Sequence, residues 1–448
     1  MYSRAMNLLR KSLTLLALFS CGPTVFAEAP QEAAPVKQKV AEEKESLLAL
    51  YRDLHSAPEL SFQEEKTSTR LAKELRAAGF TVTEKIGKWG VVAVLENGQG
   101  KTVLVRSDMD ALPVHELTGL PFASTVRMKD HEGKEMPVMH ACGHDIHMTC
   151  LVGVARVLAS MKDRWHGTLV LIAQPAEERG GGALAMLKDG LFKKFPKPDL
   201  CLALHDTPEI PTGQIGLVSG TAMASVDSVD LIVHGVGGHG AMPDQAKDPI
   251  VLSAQIILGL QTIRSRELAP IEGGVVTVGA INGGTKHNII PDEVRLQITV
   301  RAFSMETRTK ILTAIKRIAR GQAISAGLPE ELMPEMKIGQ DFTPALVNDA
   351  ALASRLRGVF TQWFGAQNVQ EPKPIMGGED FSRYGMTEDK IPVCMFWLGA
   401  TLPERYMEFK KKKEPLPGLH SPFFKPDADA TVPFGITAMS AAVLDVMK

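Results

Sequence analysis

Residues 139–178 read MHACGHDIHMTCLVGVARVLASMKDRWHGTLVLIAQPAEE, a loop rich in polar side chains followed by two regular elements. Apolar residues recur at helical spacing from Cys142 to Met161, which predicts a helix. The continuous apolar run Thr168–Gln174, ended by Pro175, is typical of a strand that is buried on both faces. Together these elements predict an α/β sheet that is covered by helices on both sides.

The flanking sequence divides the chain into two domains. Helical periodicity over residues 46–79 and an apolar strand at 200–204 continue the α/β pattern up to about Thr221. From there to residue 338, the order strand, helix, strand, strand, helix, strand predicts a ferredoxin-like α+β unit. The α/β pattern then resumes. We therefore predict a large domain in two parts, 46–221 and 339–448, with residues 222–338 inserted as a lid or dimerisation domain.

The amino terminus has the pattern of an export signal. Basic residues precede the apolar run 13–19, and residues 25–27 read VFA, so residues 1–27 are predicted to be a secretory signal peptide. An alternative is a lipoprotein leader with lipid attached at Cys21. Either leader places the mature protein in the periplasm or outside the cell. Residues 28–45, rich in Ala, Glu, Lys and Gln, are predicted to be a tether.

Composition narrows the class of partner. The 448-residue chain has 44% hydrophobic residues, 23% charged residues and a formal net charge of −1. Such a balance offers no electrostatic basis for binding nucleic acid or an anionic membrane. No segment after the leader has the roughly 18 consecutive apolar residues that a membrane span needs. Cys150, Cys201 and Cys394 are interpreted as buried apolar side chains rather than as a disulfide framework.

Several potential metal ligands follow predicted strands or lie in glycine-bounded loops. Each is a weak signal alone, since a lone buried histidine is usually structural and a lone acidic pair is usually solvated. Together they provide enough thiol, imidazole and carboxylate groups for two divalent metal ions, with a carboxylate left over as a general base. These residues are Cys142, His144, Glu177, Glu178, His205 and His420.

The motifs occur in an order that resembles a known enzyme family. The chain resembles the M20 peptidase family, in the amidohydrolase branch that includes hippurate hydrolases and hydrolases of auxin–amino acid conjugates. The resemblance runs from residue 54 almost to the carboxyl terminus. Its segments are 54–62 (LHSAPELSF), 106–113 (RSDMDALP), 140–145 (HACGHD), 174–178 (QPAEE), 237–241 (GGHGA), 284–291, 377–381 (GGEDF) and 419–422 (LHSP).

The resemblance implies a zinc-peptidase-like catalytic domain with a central mixed sheet, and a role for each site residue. Glu177 matches the general base, and His239 and Asn288 match residues of the inserted domain that approach the substrate, with His239 donating to the oxyanion. Asp108 and Asp110 match an acidic pair near the metals, which we expect to orient a ligand histidine. The implied ligands to two divalent ions, zinc or manganese with cobalt or nickel as alternatives, are Cys142 (bridging), His144, Glu178, His205 and His420.

The implied function is a metal-dependent amidohydrolase that cleaves the amide bond of N-acyl amino acids. A metallo-aminopeptidase or carboxypeptidase acting on short peptides is an alternative. An inactive binding homologue is a further alternative, disfavoured because the base and all five ligands are present. The inserted domain would also allow a homodimer. One departure is Asp244, where this branch usually has histidine. His147 and His234 are predicted to be hydrogen-bonded structural residues.

Overall fold

The computed structural model describes residues 30–339 and 341–448. The predicted leader, with its alternative lipid site at Cys21, lies outside the described residues, as do the first two residues of the predicted tether. Among the described residues, the helices in chain order are α1 Ala33–Ser56, α2 Glu65–Ala77, α3 His144–Ser160, α4 Gly182–Lys188, α5 Leu191–Lys194, α6 Pro249–Thr262, α7 Met305–Ser325, α8 Ala350–Phe364, α9 Ser382–Gly385, α10 Pro403–Lys412 and α11 Ala428–Val446.

A mixed sheet forms the centre of the large domain. In the described part of the chain it contains eight strands, in the order β1-β2-β6-β3-β7-β18-β8-β17, and β6, β3, β7 and β18 run parallel. In chain order the strands are β1 Thr81–Ile86, β2 Gly90–Asn97, β3 Thr102–Asp108, β4 Arg127–Lys129, β5 Glu135–Pro137, β6 Gly167–Gln174, β7 Leu200–Pro211, β8 Ile215–Gly216, β9 Gly220–Met223, β10 Ser225–His234, β11 Gly238–His239, β12 Gly274–Gly283, β13 Ile289–Ile290, β14 Glu293–Ala302, β15 Glu335–Ile338, β16 Leu346–Asn348, β17 Val369–Gln370 and β18 Val393–Thr401.

Helices cover both faces of this sheet, as the continuous apolar strands predict. On one face the strands pack against α1, α3, α8 and α11, and on the other against α4, α5 and α9. Helix α11 is long and apolar enough to cross a membrane, and among the described helices it alone meets that test. However, 72% of its apolar stretch is buried inside the protein, where it packs against α1, α3 and α8. It is the central helix of this core.

The amino-terminal helices differ from the prediction in two respects. Residues 33–45 are not a tether but the first half of α1, because Ala33, Val36 and Val40 lie on one face and are buried against the core. The Ala, Glu, Lys and Gln residues between them are strong helix formers, so this composition fits a helix as well as a linker. The periodic stretch 46–79 is two helices, because α1 ends at Ser56, two residues before Pro58, and α2 begins at Glu65.

The inserted domain has the predicted ferredoxin-like order. Strands β12, β14, β10 and β15 pair antiparallel in that sequence, and α6 and α7 pack on one face of the sheet they form. The chain enters and leaves this domain beside the short pair β9 and β16, which are hydrogen-bonded to each other. The fold prediction, a mixed α/β domain with an inserted α+β unit, is confirmed.

Candidate metal centre and catalytic cleft

The predicted metal ligands of the large domain converge at one edge of the central sheet. Glu177 and Glu178 follow the end of β6, and His205 lies near the carboxyl end of the core part of β7. His144 is the first residue of α3, and His420 comes from the loop before α11. Because β6, β3, β7 and β18 are parallel, their carboxyl ends meet at the edge where α/β proteins bind ligands.

The five predicted ligands form two groups that share one thiol. Cys142, His144 and His205 can offer three ligand atoms within 4.8 Å of one another, and so can Cys142, Glu178 and His420. The Cys142 Sγ lies 3.6 Å from the His205 Nε2, and the Glu178 Oε1 lies 3.5 Å from the His420 Nε2. A thiolate common to both groups has the position that a bridging ligand needs between two metal ions.

Unpartnered buried atoms show that this donor set fits metal ions. The His144 Nε2 and the Glu178 Oε1 are buried and have no hydrogen-bond partner among the described residues. The Nδ1 of His144 is held by the Asp110 carbonyl oxygen at 2.7 Å, and that of His205 by the Asp206 carbonyl oxygen at 2.7 Å. Each backbone acceptor fixes its ring so that Nε2 faces another candidate ligand, Glu178 for His144 and Cys142 for His205, as in metal-binding histidines.

The protonation of two ligands supports the same assignment. Burial and the charge of Glu178 raise the pKa of the Cys142 thiol well above its usual range. A thiolate at this position therefore needs a cation beside it, which a bound metal ion supplies. Burial and the neighbouring His147 hold the pKa of His205 well below its usual range, so its imidazole is neutral and its Nε2 lone pair can bind a metal.

The carboxylate of Asp110 holds the segment that carries the predicted base. Its Oδ1 accepts from the Glu177 N–H at 3.0 Å, and its Oδ2 accepts from the Glu178 N–H at 3.1 Å and from the Ser61 hydroxyl at 2.6 Å. We expected the Asp110 carboxylate to orient a ligand histidine. It is instead the main-chain carbonyl of Asp110 that accepts from His144. The side chain instead fixes the backbone of Glu177 and Glu178.

Sequence reasoning missed a second carboxylate in this arrangement. The Glu64 Oε1 accepts from the Phe62 N–H and from the Ala176 N–H, both at 2.8 Å. Ala176 has a φ of 50°, an unusual left-handed conformation for alanine, so this turn must be held by its surroundings. Glu64 and Asp110 thus bind three consecutive N–H groups, those of residues 176–178. Burial and repulsion from Asp110 raise the pKa of Glu64.

A network of buried ionic groups lies beneath the metal ligands. Asp108 accepts from Arg106 at 2.6 Å and bonds to the His147 Nδ1 at 2.7 Å, and the His147 Nε2 lies 3.1 Å from an Asp206 oxygen. Burial lowers the pKa of His147, but Asp108 and Asp206 raise it more, to about 9. The Asp206 main-chain N–H also lies 2.9 Å from the His147 Nε2, so both ring nitrogens have hydrogen-bond partners. His147 is a hydrogen-bonded structural residue. His234, half-buried on the inserted domain, lies 3.8 Å from Glu293.

A cavity of about 420 Å³ opens in front of the ligands, between the two domains. Glu177, Glu178 and His420 line it from the large domain, and Ser228 and Arg301 from the inserted domain. Desolvation in the cleft and the nearby carboxylates of Glu379 and Glu178 raise the pKa of Glu177 well above its usual range. A divalent cation beside Glu177 would stabilise its ionised form. Glu177 is therefore in the cleft and next to the ligands, where a general base would act.

Arg301 is a second residue that sequence reasoning missed. Its guanidinium donates to the Thr299 hydroxyl at 3.2 Å and to the Met376 carbonyl at 3.2 Å. It makes no ion pair with any carboxylate in the described part of the chain, and partial burial lowers its pKa. A guanidinium remains charged under these conditions. Arg301 thus presents a guanidinium without an ion-pair partner among the described residues to the cavity that contains Glu177.

The structure does not bring His239 and Asn288 into this cavity. His239 is exposed at the end of the two-residue strand β11, and its Nδ1 accepts from the Ala241 N–H at 3.0 Å. Asn288 lies beside it, because the Gly240 N–H donates to the Asn288 carbonyl at 2.9 Å. Asp244 is exposed in the adjacent turn. These residues form one surface region of the inserted domain, apart from the cleft.

Several known proteins that this chain is similar to are hydrolases. Residues 104–413 match the model of peptidase family M20/M25/M40. The hippurate hydrolase of Campylobacter jejuni is 40% identical over 331 residues, which cover 73% of this chain and 82% of that protein. Thermostable carboxypeptidase 1 of Saccharolobus solfataricus is 36% identical over 369 residues, covering 82% of this chain and 88% of that protein.

A solved structure supports the same relationship. The crystal structure of a dinuclear metal binding peptidase of the M20 family from Bacillus subtilis aligns with a TM-score of 0.73 and 29% sequence identity. The alignment covers 91% of this chain and 99% of that chain. The resemblance inferred from the motifs is confirmed: the chain belongs to peptidase family M20/M25/M40 and is a metal-dependent hydrolase of amide bonds.

Proposed function

We propose that the protein removes the acyl group from N-acyl amino acids by hydrolysis of the amide bond. The observation that carries this proposal is the Arg301 guanidinium, which has no ion-pair partner among the described residues, in the cavity that also contains Glu177, Glu178 and His420. A guanidinium binds a carboxylate through paired, charge-assisted hydrogen bonds. The substrate would therefore carry a free carboxylate close to its scissile amide, as an N-acyl amino acid does.

Glu177 is proposed to be the general base. Its backbone N–H is fixed by Asp110, and its side chain lies in the cleft beside the ligand groups. In this position it would accept a proton from the attacking water and pass it to the leaving amine. When bound, two divalent ions would supply Lewis acidity to the carbonyl and to the water. We favour zinc or manganese, with cobalt or nickel as alternatives, because the ligands combine a thiol, imidazoles and a carboxylate.

His239 and Asn288 are proposed to complete the site when the inserted domain approaches the cleft. Both residues are outside the cavity in this structure, so a catalytic contact requires either closure of the two domains or approach of a second copy. Closure would also exclude water from the reaction. His239 would then donate a hydrogen bond to the oxyanion that develops on the substrate carbonyl.

A carboxypeptidase is the second candidate, and the 36% identity to a thermostable carboxypeptidase favours it. A peptide with a free carboxyl terminus would present its carboxylate to Arg301 in the same way. An aminopeptidase fits less well, because its substrates are recognised through a free amino group. The two candidates differ in the group that precedes the scissile bond, an acyl group in one and a peptide chain in the other.

The experiment that separates them is a substrate panel. Purified protein, supplied with Mn²⁺ or Zn²⁺, is assayed with N-acetyl and N-benzoyl derivatives of several amino acids and with unblocked dipeptides and tripeptides. We expect kcat/KM to be highest for an N-acyl amino acid, and to fall at least about 10-fold in an Arg301→Ala variant, mainly through KM. Hydrolysis of the unblocked peptides alone would favour the carboxypeptidase.

Export and self-association are further proposals. Cleavage of the leader after Ala27 would give a periplasmic or secreted protein that starts at Glu28, whereas lipid attached at Cys21 would support the lipoprotein alternative. The intact mass of the mature protein separates the two.

A homodimer through the inserted domain is supported by its edge strand β12 and by exposed apolar side chains. These are Val251, 55% exposed, Leu258, 72% exposed, and Ile281, 52% exposed. Sedimentation velocity measures the association.

A further inference from the structure

We propose that a second cavity, adjacent to the metal centre, is the subsite for an apolar acyl group of the substrate. This cavity has a volume of about 540 Å³ and is lined by residues of β7, by Trp397 of β18, by the end of β17 with the loop that follows it, and by the loop before His420. Its volume lies in the range of about 300–1,000 Å³ that is typical of small-molecule sites. The inference rests on the proposed function and specifies which class of acyl group the enzyme would accept.

The second cavity lies beside two of the proposed metal ligands. Thr207, in its wall, comes two residues after His205 on β7. Gly418 and Leu419, also in its wall, directly precede His420, which lines the first cavity. The loop 418–420 therefore separates the two cavities and contributes to both. A substrate whose carbonyl lies at the metal centre can reach both cavities, one on each side of its amide bond.

The indole of Trp397 extends this connection. Its ring centroid lies 5.3 Å from that of the His205 imidazole, with the planes at 56°. Trp397 is on β18, which pairs with β7 so that Trp397 lies opposite His205. One flank of the indole thus packs against a proposed metal ligand, while another part of the residue forms the wall of the second cavity.

The buried part of the wall is mostly apolar and closely packed. Ile210 and Trp397 are only 4% and 6% exposed. A Cβ added to Gly216 behind them would come within 2.6 Å of the Ile210 Cδ1 and 3.1 Å of the Pro372 Cγ, which shows how tightly these side chains fit. Three prolines, at 208, 372 and 374, restrict the backbone around the cavity. The site is therefore preformed rather than created by the ligand.

The positions of the charged side chains indicate which kind of group the cavity can bind. Its two charged residues, Glu209 and Lys373, are exposed at the rim and have opposite signs. The buried part of the wall carries no ionisable side chain, so a charged group placed there would lose its hydration without compensation. An uncharged apolar group, such as a benzoyl ring packed against Trp397, is the occupant that this lining favours.

The direction of the substrate follows from the two cavities together. The amino-acid carboxylate pairs with Arg301 in the first cavity, on the side of Glu177. The acyl group is on the other side of the scissile bond and would extend past loop 418–420 into the second cavity. An acetyl group is too short to fill the second cavity, whereas a benzoyl group would make extensive contact with it.

The test fills the second cavity and compares two acyl groups on the same amino acid. Ile375 lies in the wall and is 37% exposed, so Ile375→Trp would place an indole in the cavity. We expect the ratio of kcat/KM for the N-benzoyl over the N-acetyl substrate to fall about 10- to 100-fold, the scale on which pocket shape discriminates substrates. Val347→Trp is the matched control: Val347 is 50% exposed and lines a separate cavity, so the ratio should not change.

Each outcome decides the inference. An unchanged ratio in Ile375→Trp, or an equal loss for both substrates, would overturn the acyl subsite while leaving the proposed function in place. A wild-type enzyme that hydrolyses neither substrate would contradict the proposed function itself, and the subsite with it. If Ile375→Trp does not fold, as judged by thermal unfolding, Ile375→Phe fills the cavity with a smaller side chain. The same ratio of kcat/KM for the N-benzoyl over the N-acetyl substrate is then measured for Ile375→Phe.

Discussion

On the large domain, the groups around the metal centre are buried and bonded to one another, whereas on the inserted domain the predicted catalytic residues lie on an exposed surface. Asp110 has hydrogen bonds to both of its carboxylate oxygens and to its carbonyl oxygen. His147 is enclosed between Asp108 and Asp206. The His239 side chain, in contrast, has only one hydrogen bond among the described residues, which it accepts from the nearby Ala241 N–H.

This difference separates two kinds of catalytic contribution. The large domain holds the proposed base and the candidate ligands in a fixed geometry, which would avoid reorganisation during the reaction. In the proposed mechanism, the inserted domain would contribute His239 only after a change in position. We therefore expect substitutions in the large domain to alter metal content or the geometry of Glu177, and substitutions at His239 to alter turnover alone.

The largest effect is expected from loss of the shared thiol. Cys142→Ala removes a ligand from both groups, so metal stoichiometry and activity should fall together. Elemental analysis and turnover, measured on the same preparation, check this. Cys150→Ala is the matched control, because Cys150 is also buried in the large domain but lies against Val432 in the core. Two tightly bound metals and persistent activity in Cys142→Ala would show that Cys142 is only a buried thiol.

Loss of His239 should reduce turnover without loss of metal. His239→Ala is expected to lower kcat about 10²- to 10³-fold, because an oxyanion donor acts in the transition state. KM should change less, for the same reason. His234→Ala, on the same domain, serves as control and should retain kcat. An unchanged kcat in His239→Ala on the best substrate would assign His239 to the local structure of its glycine-rich turn.

A smaller effect is expected at Glu64, which supports the backbone of the base. Glu64→Ala leaves the Ala176 N–H without its acceptor and should lower kcat about 10-fold with metal content unchanged. Glu64→Gln should retain most activity, because an amide oxygen can accept the same bonds and the raised pKa of Glu64 favours its uncharged form. Glu59→Ala is the control, since Glu59 is a buried carboxylate that accepts from Thr67 in α2, away from the base. Equal kcat losses in the Ala and Gln variants would argue against this role.

The fold was predictable because its main signals are local. Strands buried on both faces appear as continuous apolar runs, as in Thr168–Gln174, and this pattern predicts a covered sheet. The clustering of the candidate ligands could be predicted because they follow such strands or lie in glycine-bounded loops. The prediction for segment 33–45 was wrong because composition alone does not show that Ala33, Val36 and Val40 face the hydrophobic core of the large domain.

The support around the base was not predictable for a different reason. Glu64 and Asp110 act on main-chain N–H groups, which are identical at every non-proline residue, and Glu64 is 112 residues from Ala176. Arg301 and Trp397 are ordinary residues of alternating or apolar strands, and only the position of each strand in the sheet brings them to a cavity. Long-range side-chain-to-backbone contacts leave no pattern in the sequence.

The central claim is that Glu177 is the base of a preformed metal centre, and one paired measurement tests it most directly. Glu177→Gln and Glu178→Gln are each assayed for bound metal and for turnover of the best N-acyl amino acid. We predict that Glu177→Gln keeps the wild-type metal content and loses turnover by about 10²-fold or more, while Glu178→Gln loses metal as well. Near-wild-type turnover by a fully metal-loaded Glu177→Gln enzyme would contradict the account.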